Sequence, residues 1–364
     1  VALADISRAG TSIWLDDLSR ERMVEGGKAT SLAALIERDH VVGVTTNPAI
    51  FAAAIAGSPL YRDDIVALAK SGKDAEAIIT ELTTVDVQQA CDLFTPTFQR
   101  SGGVDGRVSI EVDPRFARDT AATIKQAREL WALVDRPNLL IKVPATLEGL
   151  PAIQTLISEG ISVNVTIIFS VSRYERVLDA FLTGLEDRAR AGKSISDIHS
   201  VASFFVSRVD TEIDARLKDT PNKDLAGKAA LANARLAYKH FDEILGSERW
   251  RALAASGASI QRPLWASTGV KDPSYDPTMY VVELVAPQTV NTMPEATLAA
   301  VRENGRFRGE SITNYYADAN AHLARLHEIG IDIEEVASKL ELEGIDKFIK
   351  PWLELISTVA KVSA

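Results

Sequence analysis

The feature that most constrains this chain is a recurrence. Eight short runs rich in apolar and β-branched residues are each separated from the next by helical patterning. They are residues 11–16 ("TSIWLD"), 40–46 ("HVVGVTT"), 107–112 ("RVSIEV"), 138–143 ("NLLIKV"), 161–169 ("ISVNVTIIF"), 199–207 ("HSVASFFVS"), 262–268 ("RPLWAST") and 279–286 ("MYVVELVA"). Each has the length of one strand. Apolar continuity, where an exposed strand would alternate, marks a strand covered on both faces, as in a parallel sheet. Between the runs, Ile124, Ala127, Leu130, Trp131 and Val134 recur at three- and four-residue spacing before Pro137. Tyr174, Val177, Leu178, Phe181, Leu182 and Leu185 form a second stripe ahead of Gly192. A third helix is bracketed by Pro151 near its start and Gly160 just past its end. These are the periodicity and punctuation of amphipathic helices.

Eight strands alternating with helices predict an α/β fold of the (β/α)8 TIM-barrel type over an open sheet. Two stretches exceed a minimal barrel. Residues 47–106, between the second and third strands, have room for two or three helices, and the tail from about 331 to 364 reads as helical. Pro351 is predicted to break that tail or restart it. No internal repeat, low-complexity tract or composition shift divides the chain, so residues 1–364 are read as a single barrel domain with a helical C-terminal extension.

Composition narrows the function classes. The 364 residues are 46% apolar and 25% charged, enough for a large core. A formal net charge of −10 disfavours nucleic acid and anionic membrane surfaces as partners. The lone cysteine, Cys91, permits no internal disulfide and sits in helix-like "VQQACDLF", where core packing explains it. No signal-peptide pattern and no apolar stretch near the ~20 residues of a membrane span are present, so a cytoplasmic location is expected. The five histidines lack metal-binding spacing, and "SGGVDGR" (101–107) precedes a strand, which makes it a turn and not a dinucleotide loop. Neither a metal site nor a dinucleotide-binding loop is therefore expected.

In a barrel of this type the active site lies at the C-terminal ends of the strands. Polar residues close nearly every one: Asp16 and Asp17; Thr45, Thr46 and Asn47; Glu111 and Asp113; Lys142, with Pro144 expected to end its strand; Asn164 and Thr166; Ser203 and Arg208; Ser267 and Lys271. Lys142 stands out, because it interrupts an apolar run. A buried ammonium is penalised, and an amine in a dry pocket is more readily freed as a nucleophile that attacks a ketone or aldehyde to give a Schiff base. Carboxylates such as Asp16 and Glu111 would then move protons. Arg208, Ser267 and Lys271 suit a phosphate, which barrels often hold after strands seven and eight. Each residue alone has a plainer reading: Lys142 as a snorkelling side chain, Asp16 or Asp17 as a helix cap, Asn47 as a turn residue, Arg208 paired with Asp210 or Glu212. Their convergence on one barrel mouth is what argues for a site.

Two long stretches carry a resemblance. "GVTTNPAIF" (43–51) and "LLIKVPATLEGLPAIQTL" (139–156) resemble the two signature segments of the transaldolase family. "SIWLDD", "SIEVDP", "NVTIIFS", "SFFVSR" and "ASTGVKDP" follow in family order, so the likeness spans roughly residues 11–300. It implies a cofactor-free (β/α)8 barrel that moves a dihydroxyacetone unit from sedoheptulose 7-phosphate to glyceraldehyde 3-phosphate, giving erythrose 4-phosphate and fructose 6-phosphate. By the same resemblance Lys142 forms the Schiff base and Asp16 takes and returns the hydroxyl proton that drives carbon–carbon cleavage. Glu111 and Thr166 handle a water and protons around the carbinolamine. Asn47, Asn164 and Ser203 hydrogen-bond the three-carbon unit, Phe205 shapes the pocket, and Arg208 with Ser267 holds phosphate. Where some members have serine, a bulky residue and arginine, this chain reads "STGVK", putting Lys271 in the arginine's place as a point charge. A one-residue slip would exchange Asp16 for Asp17 on the opposite strand face, and the match to "IWLD" favours Asp16. A Schiff-base sugar-phosphate aldolase acting as a lyase is the nearest alternative. A non-catalytic sugar-phosphate-binding protein is the other, and it would need only the pocket cations. The sequence leaves monomer and homodimer equally open.

Overall fold

Buried, β-branched segments have few ways to satisfy their main chain other than pairing with one another. In a computed structural model describing residues 2–24, 26–27 and 29–363, they do so as a closed barrel of eight parallel strands in sequence order. The strands are β1 (Thr11–Leu15), β2 (Val41–Val44), β3 (Arg107–Glu111), β4 (Leu139–Pro144), β5 (Val163–Ile168), β6 (Ser200–Phe205), β7 (Arg262–Ala266) and β8 (Thr289–Met293). β8 closes the ring against β1, from Thr11 opposite Thr289 to Leu15 opposite Met293. Trp14 is fully buried within it, and a β-carbon on Gly43 would lie 2.5 Å from the indole ring, so only glycine fits there.

Seven of the expected strands fall where the sequence places them; the eighth does not. Residues 279–286 were expected to be a strand. Met279–Val282 is instead a short helix, and β8 is the less apolar "TVNTM" that follows. The reason is local. The Tyr280 hydroxyl donates to Asp210 at 2.6 Å and its carbonyl accepts from the Asn291 side chain at 3.0 Å, which docks the helix against the barrel. Burial pushes the Asp210 carboxyl up from 3.8 to about 6 against the opposing pull of its hydrogen bonds. Between those values the folded state binds the extra proton. The group's contribution is therefore fullest below about pH 4 and is lost as pH rises through 6, a span worth about 3 kcal/mol. Asp210→Asn should flatten the stability curve between pH 4 and 7 by an amount of that order. Urea titrations that stay parallel to wild type would contradict it.

Asn47, Asp74, Asp119 and Ser170 cap the helices Pro48–Gly57, Ala75–Arg100, Thr120–Val134 and Val171–Arg190, each accepting a main-chain N–H in the first turn. Gly160, at φ +98°, closes Gly149–Glu159 in the left-handed conformation. Residues 47–106 hold three α-helices, Pro48–Gly57, Arg62–Lys70 and Ala75–Arg100. They share a second apolar cluster with the C-terminal helix Ile333–Ser363 through Ile55, Tyr61, Ile78, Leu82, Leu355 and Val359. Insertion and tail thus form one structure, and Asn47 and Phe348 bring it to the rim at the C-terminal strand ends. Pro351 does not break that tail, contrary to expectation: one 31-residue helix runs through it. The ~3 kcal/mol cost of an internal proline is offset by burial of Phe348, Leu355 and Val359 and by the bond from Trp352 Nε1 to Asp113 at 3.1 Å.

Candidate active site

Parallel register sets the central geometry. Glu111, Lys142 and Asn164 stand opposite one another on β3, β4 and β5, so the three side chains share one level of the barrel. Pro144 does not end the pairing of β4, contrary to expectation: the strand includes it, and it stands opposite Thr166. Proline lacks only the N–H and can still offer its carbonyl. Lys142 is 4% exposed. Its ammonium donates to the Thr46 carbonyl at 3.1 Å and lies 3.3 Å from Glu111 Oε2, an ion pair without hydrogen-bond alignment. The Glu111 side chain is 2% exposed, and burial pushes its carboxyl above the ordinary range while Lys142 pulls it back. Such a carboxyl can take a proton from the lysine beside it.

Asp16 reaches the same mouth from β1. It accepts from Thr45 Oγ1 at 2.7 Å, and Thr45 lies 2.6 Å from Thr292 Oγ1 on β8, a hydroxyl relay ending at the carboxylate. Burial raises the Asp16 carboxyl, opposed by the charge of Lys142. Asp17 points elsewhere: it pairs with Arg22 at 2.5 Å, beside Glu295. Asn164 is held from both sides, donating to Ser109 Oγ at 3.0 Å and accepting from Ser203 Oγ at 2.7 Å. Asn47 uses its Oδ1 to cap the helix Pro48–Gly57, bonding the Ile50 N–H at 2.9 Å, while its side chain faces the cavity. Thr166 Oγ1 is buried without a hydrogen-bond partner among the described residues. Next to it Ile167 sits at φ +55°, where a β-branched residue is strained by ~1–3 kcal/mol, at a break in the β5–β6 register.

On the far side, Ser267 also adopts φ +55° and places its hydroxyl 2.8 Å from that of Ser207. Arg208 Nη1 is buried without a hydrogen-bond partner among the described residues, and its guanidinium lies 5.3 Å from the Phe205 ring centroid. Burial draws that guanidinium below its ordinary value, against the pull of Asp16 and Glu343. Such a cation is prepared for an anion.

One cavity of about 140 Å³ is lined by Asp16, Asn47, Lys142, Ser203, Phe205, Arg208, Ser267 and Lys271 together. Glu111 joins through its pair with Lys142 and Asn164 through Ser203, whereas Thr166, opposite Pro144 on β5, is not among the lining residues. A larger hollow of about 520 Å³ lies elsewhere, and two of about 650 and 560 Å³ adjoin through Lys271 and Asn47. Converging polar groups, not volume, mark this one. Sequence reading missed two contributors and the role of a third, Thr46, which it names only as a polar strand end. Phe348, in the C-terminal helix, sets its ring 5.8 Å from Lys142 Nζ. Thr292 lies on the strand that was misplaced, and the Thr46 contribution is a main-chain carbonyl, which any residue type would carry.

A family model described as Transaldolase/Fructose-6-phosphate aldolase matches residues 13–359. The chain belongs to that family. Among curated relatives, a transaldolase of Acidothermus cellulolyticus is 57% identical over 361 residues, 99% of this chain and 96% of the relative. A transaldolase of Thermobifida fusca is 54% identical over 362 residues (99% and 97%), and one of Mycolicibacterium smegmatis is 56% identical over 357 (97% and 95%). In this transaldolase-family chain the match extends through the C-terminal helix that delivers Phe348, beyond the part that the sequence motifs covered. Among the described residues no group of three or more His, Cys, Asp or Glu is placed to hold a metal, and no helix is long and apolar enough to cross a membrane.

Proposed function

We propose that Lys142 carries a transaldolase reaction, transferring dihydroxyacetone from sedoheptulose 7-phosphate to glyceraldehyde 3-phosphate. The observation that carries this reading is the buried Lys142–Glu111 pair, opening onto a cavity shared with Asp16 on one side and Arg208 on the other. Proton transfer from Lys142 to Glu111 leaves a neutral amine, which adds to the ketose C2. Glu111 and Thr166 pass protons as the carbinolamine loses water to the iminium. Asp16 then removes the C4 hydroxyl proton. The C3–C4 bond breaks, its electrons go into the iminium as an enamine, and erythrose 4-phosphate leaves. The enamine attacks the acceptor aldehyde, whose oxygen takes the proton back from Asp16, and water releases fructose 6-phosphate. Asn47, Asn164 and Ser203 hold the three-carbon unit, Phe205 walls the pocket, and Arg208, Ser267 and Lys271 hold the phosphate.

The barrel and its C-terminal helix act here as one unit. The net charge of −10 argues against nucleic acid and anionic membrane surfaces as partners, and phosphorylated sugars as substrates argue for the cytoplasm as the place of action. Transfer instead of release requires that water stay away from the enamine and iminium while the acceptor arrives. Phe348 closes the space above Lys142. Product formation from fructose 6-phosphate with and without an acceptor aldehyde tests the reading: turnover should need the acceptor. Phe348→Ala should raise the acceptor-independent release of dihydroxyacetone several-fold, by roughly 3- to 10-fold, relative to transfer. Equal turnover without acceptor in the parent protein would make it a lyase, and an unchanged ratio in the variant would remove Phe348 from the account.

A further inference from the structure

The end of the barrel opposite the active site holds a cavity of about 520 Å³, within the size range of small-molecule sites. Two arginines and one carboxylate are the charged groups of its lining. Arg107, at the start of β3, is 1% exposed; its Nε and Nη2 donate to the Gly103 carbonyl at 2.8 and 2.5 Å. Its Nη1 is buried and without a partner among the described residues. Arg262, at the start of β7, is 8% exposed and bonds Ser12, the Val104 carbonyl and Asp105 at 2.9, 2.9 and 3.0 Å. Asp105 is the carboxylate facing this pair, and it already accepts from Ser12 and the Trp14 indole as well. His199 also lines the cavity; burial and the two arginines push it down to about 3, so it adds no charge and no acid. Burial and the repulsion of Arg262 push Arg107 itself down to about 9. Two guanidiniums thus share one carboxylate.

A buried cation with an unused N–H is costly unless something anionic completes it. Val42, Leu140, Val201, Leu245, Trp250 and Ile260 give the cavity an apolar wall, beside the uncharged polar Ser7, Ser200, Ser259 and Gln288. We propose that this cavity is a second binding site, for a small organic oxyanion, carboxylate or phosphate, that pairs with Arg107 and packs its body against that apolar wall. The site is separate from the catalytic cations, although Leu140 lies only two positions before Lys142 on the same face of β4, roughly 7 Å along the strand.

Inorganic phosphate and benzoate are the probes, titrated calorimetrically into an Arg208→Ala/Lys271→Ala background so that the cations assigned to the substrate phosphate contribute nothing. Saturable one-site binding of at least one probe is expected: phosphate alone marks a phosphate reader, benzoate alone a carboxylate reader. Arg107→Gln should weaken it at least tenfold, by loss of a charge-assisted bond. Because Arg107→Gln disturbs a buried residue, Ser259→Tyr, at the half-buried rim of the cavity, serves as a second variant that fills the space and leaves both arginines in place. It should abolish binding with an unchanged thermal midpoint. No binding of either probe, or binding that survives Ser259→Tyr, would overturn the proposal.

Discussion

Lys142→Ala is expected to lower transaldolase turnover by roughly 10,000-fold or more while leaving the barrel folded. No other amine in the cavity can substitute. Lys271 also lines it, but on the side of Ser267 and Gly269, among the groups assigned to phosphate, and among the described residues no buried carboxyl pairs with it. Folding should survive because of Glu111. Removing one partner of a buried ion pair is usually expensive, since the other charge is stranded. Here burial already raises the Glu111 carboxyl, and without the lysine nothing opposes that, so it takes a proton and remains as a neutral acid. A coupled enzymatic assay and a circular dichroism melt on the same preparation check both halves. A folded variant within tenfold of wild type would exclude Lys142 as the nucleophile.

The second large effect separates two adjacent acids. Asp16→Asn should cost roughly 100- to 10,000-fold in kcat, with a smaller change in KM, because a carboxamide cannot take the hydroxyl proton but still accepts from Thr45. Asp17→Asn should cost less than about tenfold, because Asp17 pairs with Arg22 outside the cavity and the buried Arg22 keeps Glu295 as a second carboxylate partner. Steady-state kinetics of the two variants side by side is the check. Equal losses, or the larger one at Asp17, would reverse the assignment. Thr45→Val offers a milder version of the first change, since it removes the relay to Asp16 and leaves the acid in place.

These expectations rest partly on what the sequence already displayed. The run "LLIKVP" told of a buried strand carrying an awkward charge, and β4 is such a strand. Asp16, Asn47, Ser203, Arg208 and Ser267 share one cavity because parallel strands all present their C-terminal ends to the same side. What was illegible had physical reasons. β8 escaped because its polar residues find internal partners: Thr289 with Thr11 at 2.9 Å and Asn291 with the Tyr280 carbonyl at 3.0 Å. Once their hydrogen bonds are met inside the barrel, such residues need no water, and hydrophobic patterning has nothing to report. The neighbouring "MYVV" looked more like a strand because burial alone selects for the same residues in a packed helical turn. Phe348 looked like one more apolar position on an amphipathic helix. Only the docking of that helix on Pro48–Gly57 and Ala75–Arg100 puts its ring near the lysine.

The account stands on covalent chemistry at one nitrogen. Incubation with fructose 6-phosphate followed by borohydride, proteolysis and mass spectrometry measures it directly. The account predicts one modified peptide, bearing a reduced dihydroxyacetone unit on Lys142 and absent from Lys142→Ala. No adduct, or an adduct on any other lysine, would contradict it.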